Sequence, residues 1–173
     1  MAPLKDGSIR LVLYNTRYGT GTGWGYHVPF PFAGALRTTT ARSGRIEKFI
    51  ASLEPDIVGL VETDGGSFRN DGKSQPGSLA EVLGQEWVFS PKYRAPGISG
   101  HIPLLQYQGN AVVSSLPIRG SSVRRLGRGI KNTVIEARFD GFDMKLVHLS
   151  LGPGARREQI RELAALAGER ERP

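Results

Sequence analysis

The chain has 173 residues, 39% hydrophobic and 23% charged, which is enough apolar material for one packed domain. It has no cysteine, which excludes disulfides, thiolate metal sites and cysteine nucleophiles. With 23 Lys and Arg against 16 Asp and Glu, the net charge of +7 suits a phosphate-bearing partner: nucleic acid, an anionic lipid surface or a phosphorylated small molecule.

The β-rich run Ile9–Tyr14 predicts a strand ending at Asn15. Arg17–Thr40, rich in Gly, Pro and aromatics, predicts a long irregular loop. Ile46, Phe49, Ile50 and Leu53 recur at helical spacing, so Ala41–Leu53 reads as an amphipathic helix stopped by Pro55. Asp56–Val61 is nearly all apolar and predicts a strand buried on both faces, ending at Glu62. Asp64–Gly77 is a polar loop, and Ser78 with Glu81 fits a capping box for a helix through Leu83. Strands follow at Trp87–Phe89 and Asn110–Ser115, separated by a loop over Tyr93–Gln108. Lys131–Phe139 and Phe142–Leu149 flank Asp140-Gly141, a hairpin signal. A last helix is expected over roughly Ala155–Ala167, with Ile160, Leu163, Ala164 and Ala167 on one face. This order implies an α/β sandwich with helices outside, and an apolar sheet left with an open edge.

Several chemistries are excluded by their missing motifs. Gly19, Gly21, Gly23 and Gly25 alternate and do not form G-x-G-x-x-G; no P-loop occurs. Gly97–His101 lacks the last glycine of a nucleophile elbow, and His27, His101 and His148 cannot build H-E-x-x-H. No apolar run approaches the ~20 residues of a membrane span. Met1–Ile9 lacks the apolar core of a secretory signal, so a cytoplasmic location is expected.

The chemistry-bearing polar residues fall at strand ends: Asn15, Glu62, Asn110 and His148. Open α/β sheets place their ligand sites there. Glu62 is a hard oxygen ligand suited to Mg²⁺ or Mn²⁺. Asn15 can position that carboxylate or a phosphate oxygen, and His148 can donate to a phosphoryl oxygen as charge builds on it. Together they suit metal-assisted phosphoester hydrolysis.

Four blocks occur in order: Leu13–Arg17, Pro55–Glu62, Gln108–Ser114 and Leu146–Leu149. They resemble the first four motif blocks of the endonuclease/exonuclease/phosphatase superfamily, over roughly Ile9 to Leu166. The resemblance implies a deoxyribonuclease-I-like four-layer sandwich of two mixed or antiparallel sheets flanked by helices. It implies a Mg²⁺ (or Mn²⁺) site at Glu62 and Asn15, Asn110 lining the active site, and His148 on the scissile phosphate. Arg128 and Lys131 are assigned to the substrate on charge alone, against the plainer reading of a solvated strand end. The superfamily continues with a strand ending Gly-Asp-Phe-Asn and a later Ser-Asp-His-like block. This sequence ends at Arg172-Pro173 where that strand is due. It therefore reads as the N-terminal two thirds of one domain spanning 1–173, with feeble activity expected of the chain alone. The alternative is a non-catalytic member that binds nucleic acid or an anionic surface through its basic face.

Overall fold

In the computed structural model of the chain, the apolar run at Ile57–Val61 lies inside a sheet and is covered on both faces. The structure describes residues 8–21, 37–93, 104–129 and 131–168. The run belongs to β2 (Ile57–Asp64), parallel to β1 (Leu11–Asn15) and antiparallel to β4 (Gln108–Ser114). β3 (Glu86–Pro91) pairs with β4 and completes a mixed sheet in the order β1-β2-β4-β3. β5 (Gly120–Arg125), β6 (Thr133–Phe139) and β7 (Phe142–Val147) form a second, antiparallel sheet. The helices are α1 (Thr40–Ser52), α2 (Gln75–Leu83) and α3 (Pro153–Gly168).

Alternation along the strands divides the core in two. Val58, Leu60, Ala111 and Val113 pack against Ile50 of α1 and Leu79 of α2. Ile57, Val61 and Val112 meet Ile135, Ala137 and Leu146 of the second sheet. Gly59 permits this approach: a Cβ there would lie 2.9 Å from Leu146 Cδ1. Beyond the second sheet, Leu166 of α3 lines a polar groove with Ser122, Arg124 and Glu136. These are the four layers the sequence predicts. β1 is an outer strand of the first sheet, and its Leu11 and Leu13 are exposed. Among the described residues, no helix is long and apolar enough to cross a membrane.

Several elements differ from expectation. α2 begins at Gln75, not Ser78, because Ser74 caps it by accepting from the Gly77 N–H at 3.2 Å. β2 continues past Glu62 to Asp64 across a register shift, β6 begins at Thr133, and β7 ends at Val147, just before His148. β5 was not expected: its side chains are mostly exposed, so it carries no apolar alternation. The apolar stripe assigned to α3 is not its buried face. Ile160 is 52% exposed, whereas the polar Gln159 is fully buried. Phe49 also stays half-exposed, its ring 5.9 Å from that of Tyr14 at the sheet edge. Much of the loop expected over 17–40 (residues 22–36), and Gly97–His101, lie outside the described residues.

Candidate active site

Glu62 occupies an irregularity in β2, where the pairing with β4 shifts between Leu60 and Thr63. Its backbone is left-handed, with φ 54°, a strained conformation for a residue bearing a side chain. The bulge is held from both sides. The Glu62 N–H donates to Asn110 Oδ1 at 3.3 Å, and its carbonyl accepts from Thr16 Oγ1 at 2.6 Å. Bulges of this kind re-aim a side chain at a strand end. A buried amide steadies the strand behind it: Gln75 Oε1 accepts from the Asp64 N–H at 2.9 Å, while Nε2 donates to Ser43 Oγ at 2.8 Å.

The Glu62 carboxylate meets two groups that flank strands of the other sheet, Lys131 before β6 and His148 after β7. Lys131 Nζ lies 2.7 Å from Oε1, and the same ammonium is 3.1 Å from His148 Nε2. His148 Nδ1 is 3.8 Å from Glu62 Oε1. Asn15 also hydrogen-bonds the carboxylate from its side chain, with its own Oδ1 accepting from the Arg17 N–H at 2.9 Å. Burial pushes the Glu62 carboxyl up, but Lys131, His148 and Asn15 outweigh it and hold the group below the ordinary carboxylate range. Burial pushes His148 down, Lys131 and Lys92 add to this, and Glu62 opposes it. At neutral pH the site therefore holds a carboxylate and a neutral imidazole on either side of the Lys131 side chain. Nε2 accepts from the ammonium, so the ring hydrogen is on Nδ1.

A cleft beside this cluster is lined by Tyr18, Lys92, Asn110, Lys131, Thr133 and His148. Tyr18 is brought there by two consecutive left-handed residues, Arg17 at φ 48° and Tyr18 at φ 55°. Its ring lies 5.8 Å from the Arg69 guanidinium carbon. Burial, with Glu62 nearby, raises its phenol well above the ordinary value and keeps it a hydrogen-bond donor. Thr133 Oγ1 and Asn132 Oδ1, from residues that also line the cleft, are buried without a hydrogen-bond partner among the described residues. Two lysines, a phenol, an amide and an imidazole around one opening suit an oxyanion.

The geometry thus gathers Glu62, Asn110, His148 and Lys131, with Asn15 behind the carboxylate. It does not gather Arg128, whose Nη1 pairs with Glu158 Oε1 at 3.0 Å on the surface. Lys131 is no solvated strand end. Its carbonyl accepts from Gln159 Nε2 at 2.8 Å and from Ser150 Oγ at 3.2 Å, which anchors its backbone. Sequence reasoning missed Tyr18, Lys92 and Gln159. The rule that selects strand-end polar residues also selects Lys92, which directly follows β3; no periodic signal marks the other two.

The donor set fits one way of holding a divalent cation and not another. Among the described residues no group of three or more His, Cys, Asp or Glu side chains could cage an ion. Asp64 is not available, since Arg69 Nη2 lies 3.1 Å from its Oδ2 in a fully buried pair. Mg²⁺, however, commonly uses one or two carboxylates and fills its remaining positions with water and substrate oxygens. A partly exposed, ionised Glu62, already in contact with a cation, fits that mode.

The two sheets, their flanking helices and the polar cluster define an α/β sandwich with a site where the ends of the central strands of one sheet meet the other sheet. The fold is that of the endonuclease/exonuclease/phosphatase superfamily, as the four sequence blocks suggest. An endonuclease/exonuclease/phosphatase from Beutenbergia cavernae superposes with a TM-score of 0.57 at 20% identity, over 94% of this chain and 44% of that one. The human Nocturnin catalytic domain with bound sulfate gives 0.57 at 18% identity, over 92% of this chain and 60% of that one. A mannosyl-6-phosphatase from Bacteroides thetaiotaomicron gives 0.57 at 16% identity, over 95% and 61%. The chain spans about half the length of these structures. No family model and no curated protein matches the sequence.

Proposed function

We propose that the cluster belongs to a divalent-metal-dependent phosphoesterase, hydrolysing a phosphoester of nucleic acid, a phospholipid headgroup or a phosphorylated small molecule. The observation that carries this reading is the convergence of Glu62, Lys131 and His148 beside an oxyanion-suited cleft. The phosphatase name of one structural neighbour and the sulfate held by another support it. Glu62 would hold the ion, with Asn15 fixing the carboxylate. A bound Mg²⁺ or Mn²⁺ supplies Lewis-acid polarisation and a lowered water pKa.

The chain's own residues supply the rest. Asn110 and Lys92 line the cleft and bind the phosphoryl oxygens. Tyr18, kept protonated, donates to one of them. His148 donates as negative charge grows there, where a preorganised donor contributes most. Burial of the cluster weakens competition from water.

The test combines Mn²⁺ binding, followed by electron paramagnetic resonance, with Mg²⁺-dependent hydrolysis of bis(p-nitrophenyl) phosphate. Glu62→Gln removes Mn²⁺ binding and hydrolysis. His148→Ala keeps binding and lowers turnover by about 100-fold, the scale of one lost transition-state donor. Hydrolysis that persists in EDTA or in Glu62→Gln overturns the reading.

A further inference from the structure

We propose that Lys131 is a resident cation on the Glu62 carboxylate, which a divalent ion must displace to bind. This rests on the reading of Glu62 as the metal ligand. Lys131 Nζ lies 2.7 Å from Oε1, with side-chain exposures of 21% and 16%. A cation there occupies a coordination site, and two cations cannot share one carboxylate oxygen at contact distance without strong repulsion.

The surroundings allow the exchange. The Lys131 backbone is pinned by Gln159 and Ser150, so only its four-carbon stem needs to move. The adjacent cleft holds groups that lack partners: Asn132 Oδ1 is a buried acceptor and Thr133 Oγ1 a buried hydroxyl, neither bonded among the described residues. An ammonium leaving Glu62 swings along the cleft that Lys131 already lines with Tyr18, Asn110 and His148. With no ion bound, the same lysine neutralises a half-buried carboxylate. The site thus stays charge-compensated in both states.

The test is Mn²⁺ affinity in the full chain, read by electron paramagnetic resonance. Lys131→Met is expected to bind Mn²⁺ about tenfold more tightly than wild type, the scale of one partly exposed charge contact removed. Equal or weaker binding in Lys131→Met, with binding lost in Glu62→Gln, overturns this proposal and leaves Glu62 as the ligand. Unchanged binding in Glu62→Gln overturns the metal-site reading itself. A second measurement needs no variant. Lysine acetylation mapped by mass spectrometry should show Lys131 several-fold more reactive when Mg²⁺ is added, whereas unchanged reactivity overturns the displacement.

Discussion

Gln159 on α3 donates from Nε2 to the carbonyl oxygen of Lys131 at 2.8 Å, so a helix beyond the second sheet fixes the backbone of the lysine that holds Glu62. The same amide donates to the Arg128 carbonyl at 2.6 Å and accepts from the Ser150 N–H at 2.9 Å. Gln159 is fully buried. Gln159→Leu keeps much of the volume and orphans these groups. An unpaired buried group costs roughly 1–3 kcal/mol, so a loss of about 3 kcal/mol is expected. Urea unfolding measures it, and a loss below about 1 kcal/mol would show that α3 is not the anchor.

His148 gives a pH prediction for the metal-free protein. Burial and the Lys131 charge hold its ring below the ordinary 6.5, and Glu62 opposes them. Folding therefore favours the neutral ring. This contribution is complete above the unfolded-state value and is lost as pH falls below about 6.5 toward the folded-state midpoint. In Lys131→Met one depressing cause disappears while Glu62 remains, so the midpoint rises. Ring-proton NMR titration reads both values, and an unchanged midpoint in the variant would contradict the 3.1 Å contact.

The parts of this fold that were legible in sequence are those whose burial is written in apolar residues. β2 and β4 are read because each sends side chains into two cores. β5 is not, because backbone pairing with β6 defines it and its side chains face water. α3 misleads for a related reason. Its apolar residues suggest one inward face, but a single amide with several bonds turns another inward. At the site, Glu62, Asn110 and His148 each lie within two residues of a strand end, a position that local sequence marks. Lys131 was distinguished only by charge, like Arg128. What separates the two is that α3 offers Arg128 a carboxylate, Glu158, while Lys131 turns inward to Glu62. Such a choice depends on elements distant in sequence and leaves no local mark.

The buried pair of Asp64 and Arg69 supports the cleft from behind. Both side chains are essentially inaccessible, and Asp64 also accepts from the Gly66 N–H at 3.0 Å and the Ser67 N–H at 2.7 Å. Arg69→Met leaves a buried carboxylate short of its countercharge, which costs about 3–5 kcal/mol in comparable pairs. The backbone donors should hold the loss near about 3 kcal/mol. Asp64→Asn combined with Arg69→Met removes both charges. Its loss in thermal unfolding should fall short of the sum of the single variants, and simple additivity would show that the pair does not act as a unit.

Gly109 sets the distance between β3 and β4 at the cleft. A Cβ there would collide with the Ser90 carbonyl oxygen and come within 2.6 Å of Phe89 Cε2. Gly109 faces Pro91 across the pairing, and its neighbour Asn110 faces Ser90. The obstacle includes backbone, so β3 itself must move, and Asn110 moves with its partner strand. Overpacking of this kind costs about 1–3 kcal/mol. Gly109→Ala is expected near the upper end, with a shifted Asn110 side-chain amide resonance, since Oδ1 then loses its alignment with the Glu62 N–H. Gly44→Ala on α1 is the control. Nothing lies within 4 Å of the added methyl. Alanine there should raise stability by about 0.5–1 kcal/mol through helix propensity. If the two alanines have equal effects, strand contact at Gly109 is not what holds Asn110 against Glu62.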